Sequence, residues 1–125
     1  MTLLMIALGG ALGSVARYLT VEGAARLLGT GFPSGTMVVN VIGSFLMGVA
    51  VAILVDRMGQ EPSRWVPLVT TGFLGGFTTF SAFSLDAYLL LEDGRAGAML
   101  TYALASVILS LIGLAAGITL ARVAL

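Results

Sequence analysis

The chain has 125 residues (12.8 kDa), of which 58% are hydrophobic and only 10% charged, and its mean hydropathy is +1.08. Soluble domains carry about 25% charged residues, so this composition argues against a soluble enzyme, a disordered chain or a nucleic-acid binder and for an integral membrane protein. Six Arg balance six Asp and Glu, and with no Lys, His or Cys the chain has no disulfide, no Cys/His metal site and no catalytic His or Cys.

Charges cluster, and four stretches lack them: 1–16, 27–55, 65–85 and 96–121. A helix needs roughly 20 apolar residues to cross a bilayer core. Four helices are therefore expected, at about 2–25, 35–56, 65–91 and 95–123, forming one all-α transmembrane domain over 1–125. The linkers are short and rich in turn residues: 29–35, 56–64 and 92–95. The N-terminus has no basic region of the kind that opens a cleaved signal peptide.

The first span carries Gly9, Gly10 and Gly13, then Arg17 near its end. Gly9-x-x-x-Gly13, like Gly113-x-x-x-Gly117 in the fourth span, fits the small-residue pattern that lets helix backbones touch. Arg17 either snorkels to the interface or draws anions into a vestibule. Asp86 is a candidate partner for it, and Glu22 and Arg26, spaced i, i+4, are expected to stabilise the helix end. In the second span Asn40 lies among Val38, Val39, Val41 and Ile42. An amide there must be hydrogen-bonded or face water. It serves either as an interhelical hydrogen bond or as a pair of N–H donors for an anion.

The third span is the densest in signal: Thr70-Thr71-Gly72-Phe73-Leu74-Gly75-Gly76-Phe77-Thr78-Thr79-Phe80-Ser81-Ala82-Phe83-Ser84. Each interior Gly costs a helix roughly 1 kcal/mol relative to Ala. Adjacent Gly75-Gly76 followed by two β-branched Thr are expected to break the helix near the bilayer centre. Irregular backbone at that depth persists only where it is buried in protein or lines a cavity. Its freed carbonyls, near Gly75 and Thr78, suit a hard cation such as Na⁺, and the half-helix N-terminus near Thr79 suits an anion. Phe80 and Phe83 share a face beside the hydroxyls of Thr79, Ser81 and Ser84, and the positive ring edges of Phe can stabilise a small desolvated anion. In the fourth span Tyr102, Ser106 and Ser110 recur every four residues, a hydroxyl ladder along one helix face.

Orientation rests on Arg placement. Arg17, Arg26 and Arg95 fall on one side of the membrane and Arg57, Arg64 and Arg122 on the other. An even count gives no preferred orientation, so insertion both ways, and an antiparallel dimer, is expected.

These residues resemble the CrcB/Fluc family of fluoride channels along nearly the whole chain. The resemblance is carried by Gly9-Gly10-x-x-Gly13-x-x-x-Arg17-Tyr18, by Gly35-Thr36-x-x-Val39-Asn40-x-x-Gly43-Ser44-Phe45-x-x-Gly48, by Gly72-x-x-Gly75-Gly76-x-Thr78-Thr79-Phe80-Ser81-x-Phe83 and by the Tyr102/Ser106/Ser110 ladder. Ala82 stands where the family commonly has Thr. The resemblance implies a dual-topology antiparallel homodimer in the inner (plasma) membrane. It implies two pores that export fluoride passively and relieve its toxicity, with no nucleic-acid partner. Asn40, Phe80, Phe83, Thr79, Ser81 and the ladder would line each pore, with Arg17 in the vestibule. The carbonyls of Gly75 and Thr78 from both subunits would hold one structural Na⁺. The choice of fluoride among anions comes from the resemblance alone.

Two other classes compete. A small proton-coupled multidrug exporter needs an intramembrane carboxylate, but the first span has no acid before Glu22, near its end, and Asp86 also lies near the end of its span. A non-transporting scaffold would tolerate substitution of Asn40 and the Phe pair.

Overall fold

The computed structural model describes residues 1–57 and 63–124. Four segments are long and apolar enough to cross a membrane: Thr2–Leu28, Ser34–Leu54, Pro67–Glu92 and Ala96–Ala124. Their ends agree with the sequence expectation to within a few residues. The chain is a multi-pass helical membrane protein. In lipid each backbone polar group must find its partner inside the protein, which leaves apolar runs of this length only the helix.

Helix α1 (Thr2–Leu28) stops at Gly29, whose φ of 81° no β-carbon-bearing residue adopts easily. Helix α2 spans Ser34–Ala50 and continues in wider π winding over Val51–Arg57. Residues 58–62 of the second linker lie outside the described residues. The third span begins with a π-wound stretch, Pro67–Leu74, and one α turn, Gly75–Phe77, together called α3 here. Thr78 (φ −82°, ψ 157°) and Thr79 (φ −155°, ψ 119°) are extended, and helix α4 (Phe80–Glu92) follows. Gly75 itself is helical (φ −64°, ψ −36°). The departure from helix thus falls on the two threonines and not on the glycine pair.

Helix α4 ends in a Schellman turn. Gly94 takes φ 73°, and the N–H groups of Gly94 and Arg95 return to the carbonyls of Leu91 and Leu90. Helix α5 (Ala96–Ala124) is the last described element.

Two glycine seams set the packing. Along the first, α1 lies against α3: a Cβ on Gly13 would sit 2.0 Å from the Phe73 carbonyl oxygen, and one on Gly76 would sit 2.6 Å from that of Gly10. Along the second, α2 lies against α5: a Cβ on Gly48 would meet the Leu114 carbonyl oxygen at 2.3 Å, and one on Gly117 that of Phe45 at 2.1 Å. Both small-residue pairs read from the sequence therefore serve contacts within the chain. At one end Arg122 pairs with Asp56 through Nη2 (2.6 Å) and Nε (2.8 Å). At the other, Arg95 donates to the Gly31 carbonyl. Among the described residues Glu22 and Arg26 form no ion pair.

Replacing Gly13 by Ala forces α1 and α3 apart, and overpacking of this kind costs about 1–3 kcal/mol. Gly23→Ala, with open space around the new methyl, should instead stabilise by about 0.5–1 kcal/mol through helix propensity. Thermal unfolding in detergent should show opposite shifts for the two variants.

Candidate functional site: a hydroxyl-lined cavity at mid-span

The site is built around the two extended threonines. In a continuous α-helix the Thr79 N–H would bond the Gly75 carbonyl and the Ala82 N–H the Thr78 carbonyl. Neither does. The Thr79 N–H donates to Asn40 Oδ1 at 2.7 Å, and the Ala82 N–H donates to Thr79 Oγ1 at 3.2 Å as the N-cap of α4. The Gly75 and Thr78 carbonyls thereby lose their helical donors. Asn40 Nδ2 also donates to the Thr79 carbonyl at 2.9 Å. Arg17 Nη1 lies 3.4 Å from the Thr78 carbonyl oxygen, in hydrogen-bond range. Gly43 makes room for this arrangement, since a Cβ there would lie 2.3 Å from the Thr78 methyl group.

Beside the threonines lies an open cavity of about 490 Å³. It brings together Asn40, Thr79, Phe80, Phe83, Ser106 and Ser110 from the predicted pore set, with Gly75 and Thr78 from the predicted cation set. Ser44 joins them; its place one helical turn after Asn40 is the signal that would have found it. Phe80 and Phe83 have ring centroids 5.3 Å apart, and Phe80 is 76% exposed on the single chain. Ser106 is 4% exposed, and its Oγ has no hydrogen-bond partner. Hydroxyls elsewhere, such as Thr20, Thr70, Ser84 and Thr101, bond the carbonyl four residues earlier. Ser106 does not.

The other predicted residues fall outside this cavity. Ser81 is exposed and lies 3.3 Å from Thr79 Oγ1. Tyr102 is fully buried, and its ring lies between those of Phe83 (centroids 5.3 Å) and Phe32 (5.6 Å, edge-on). The Tyr102 hydroxyl donates to Asp86 Oδ2 at 3.1 Å. Asp86 therefore takes Tyr102 as its partner, and the expected pairing with Arg17 gives way to the Arg17–Thr78 contact. Beyond Tyr102 a second cavity of about 330 Å³ is lined by Thr36, Asp86, Arg95 and the loop 29–35. Phe32 and Arg95 were not legible as site residues, because only folding brings Phe32 against Tyr102 and Arg95 against the Gly31 carbonyl.

Four spans with backbone released from the helical ladder beside a hydroxyl-lined cavity define a small polytopic membrane protein organised around an intramembrane polar site. The chain belongs to the CrcB family: its residues 4–118 match the family described as CrcB-like protein, Camphor Resistance (CrcB). It is 57% identical over 121 residues to the fluoride-specific ion channel FluC of Cereibacter sphaeroides, covering 97% of this chain and 94% of that protein. It is 50% identical to the protein of the same name from Mesorhizobium japonicum (96% and 95% covered) and 48% identical to that of Caulobacter vibrioides (96% and 94%).

Ser106→Ala removes a buried hydroxyl that bonds nothing in the protein. It should leave stability in detergent unchanged or raise it by up to about 1 kcal/mol. A loss well beyond that would show a packing hydrogen bond in place of a free donor.

Proposed function

We propose that this chain is the subunit of a fluoride-selective channel that lets fluoride leave the cell passively and so relieves its toxicity. The observation that carries the reading is whole-length kinship with proteins named fluoride-specific ion channels, 57% identical across 97% of the chain, joined to a cavity at mid-span walled by hydroxyls and phenyl rings. Fluoride is the smallest halide and a strong hydrogen-bond acceptor, so a narrow path of donors suits it. The free donor of Ser106, the Ser110 hydroxyl and the positive ring edges of Phe80 and Phe83 replace its water. Asn40, Thr79, Ser81 and Tyr102 complete the path, and the positive charge of Arg17 raises the anion concentration at its mouth.

The working unit is an antiparallel homodimer inserted in both orientations in the inner membrane, with the third span broken at its centre. Exposure supports this: Thr71, Gly75, Phe80, Ser81 and Ser84 all lie open on the single chain within one span. Hydroxyls and released carbonyls at that depth need cover from protein and not from acyl chains. The donor set also suits one sodium ion. The Gly75 and Thr78 carbonyls, freed of their helical partners, are hard oxygen ligands, and two copies would supply four. When bound, such an ion joins the copies and adds a fixed positive charge beside the anion path. Arg17 donates to one of these oxygens, which has a second lone pair that would remain for a cation.

Purified protein in liposomes should release fluoride, and chloride should stay inside. Asn40→Asp places a carboxylate in the path, and Phe80→Ile removes a ring edge. Each should abolish fluoride efflux, read with a fluoride electrode, while the dimer still assembles. Normal efflux from both variants would remove these residues from the path, and wild-type efflux that depends on a proton gradient would replace the channel with a coupled transporter.

A further inference from the structure

We infer that Asn40 is a positioning residue, whose side-chain amide captures Thr79 from the helical ladder and so holds the Gly75 and Thr78 carbonyls out of it. The use of those carbonyls as a cation site rests on the function proposed above; the backbone role of Asn40 stands on the geometry alone.

The last helical rung of α3 is the Thr78 N–H on the Leu74 carbonyl at 3.0 Å. The next rung would join the Thr79 N–H to the Gly75 carbonyl. Asn40 Oδ1 takes that N–H at 2.7 Å, and Asn40 Nδ2 takes the Thr79 carbonyl at 2.9 Å. One side-chain amide thus pairs with both polar groups of a single extended residue, as the backbone of a neighbouring strand does in a sheet. Without that pairing an extended Thr79 would leave a donor and an acceptor unsatisfied in an apolar surround, and returning to helix would be the cheaper state.

The glycine pair does not impose the departure, because Gly75 keeps helical dihedrals. The β-branched side chains of Thr78 and Thr79 lean toward extended backbone, but only the Asn40 bonds satisfy it. Thr79 Oγ1, as the cap on Ala82, then restarts the chain as α4 and diverts the donor that Thr78 would have used. Arg17, on α1, reaches the Thr78 carbonyl from the other side. Side chains from the first two helices therefore fix where the third changes course.

This has a consequence for the ion. An amide offers two N–H donors and a carbonyl oxygen with two lone pairs. With one N–H and the oxygen engaged on Thr79, Asn40 has a single N–H to offer an anion. Most of its bonding capacity goes to shaping the site.

The test is solid-state NMR of the full-length protein in lipid bilayers with ¹³C,¹⁵N-labelled Thr, together with fluoride efflux. Wild-type Thr79 should show Cα and Cβ shifts on the extended side of random coil. Asn40→Leu, near in shape and without hydrogen bonds, should move them to the helical side. Asn40→Asp keeps an acceptor for the Thr79 N–H but sets a carboxylate oxygen, with no proton to donate, against the Thr79 carbonyl. It should shift the Thr79 amide resonance downfield through the stronger, charged acceptor and weaken the extended carbon shifts through loss of the second bond. Thr79 carbons that stay extended in Asn40→Leu would overturn the inference. If that variant does not fold, Asn40→Asp decides, and an unmoved Thr79 amide would overturn it equally. Absent fluoride efflux from the wild type, with the expected shifts present, would sink the channel reading and leave the positioning role standing.

Discussion

Hydrocarbon offers no partner to a loose N–H or C=O, and the third span nevertheless contains two extended residues. The structure resolves this with a side chain. Asn40 gives Thr79 the acceptor and the donor that a continued helix would have supplied, and the Thr79 hydroxyl caps the helix that follows. Both backbone groups of the extended Thr79 are therefore hydrogen-bonded where they would otherwise be costly. Gly75 and Thr78, whose carbonyls have lost their helical donors, line the mid-span cavity. Position, polarity and geometry of the site all descend from that exchange of partners.

The glycine seams make the exchange possible. Asn40 reaches Thr79 because Gly43, one turn further along α2, leaves space for the Thr78 methyl. Arg17 reaches the Thr78 carbonyl because α1 lies against α3 at backbone contact along Gly9, Gly13, Gly72 and Gly76. Lipid tails are as apolar as leucine, so helix association in a membrane depends on this close fit more than on apolar burial. The large exposed side chains of α1 and α5, among them Leu12, Leu19, Leu104 and Leu120, face outward as they would toward acyl chains, and the buried positions are mostly small. The site and the packing are thus one design, with glycine permitting contact and the polar residues using it.

Much of this was readable from the residues. Four uncharged stretches gave the four spans, because the bilayer imposes length and apolarity more strictly than any soluble core does. Asn40, Thr79, Phe80, Phe83, Ser106 and Ser110 were each legible within their spans, and the family resemblance grouped them with Ser81 and Tyr102, which fall outside the cavity. The details that escaped depend on tertiary geometry. The glycine pair looked like the point of departure, yet Gly75 stays helical and the threonines depart, because propensity is overruled by the acceptor that Asn40 brings from another helix. Asp86 looked like a partner for Arg17, but Tyr102 reaches it first. Phe32 and Arg95 carried no signal, for a loop residue acquires its neighbours only on folding. The π winding at Val51–Arg57 and Pro67–Leu74 has no clear mark in the residues either.

The central claim is that a mid-membrane stretch of the third span leaves the helix to face protein and ion instead of lipid. A cryo-electron microscopy map of the protein in a lipid nanodisc tests it most directly. The account predicts extended density at Thr78 and Thr79 held against Asn40, with a second copy covering Gly75 and Phe80. Continuous helical density from Pro67 to Glu92 around a lone chain, with the Phe80 ring among lipid tails, would contradict it.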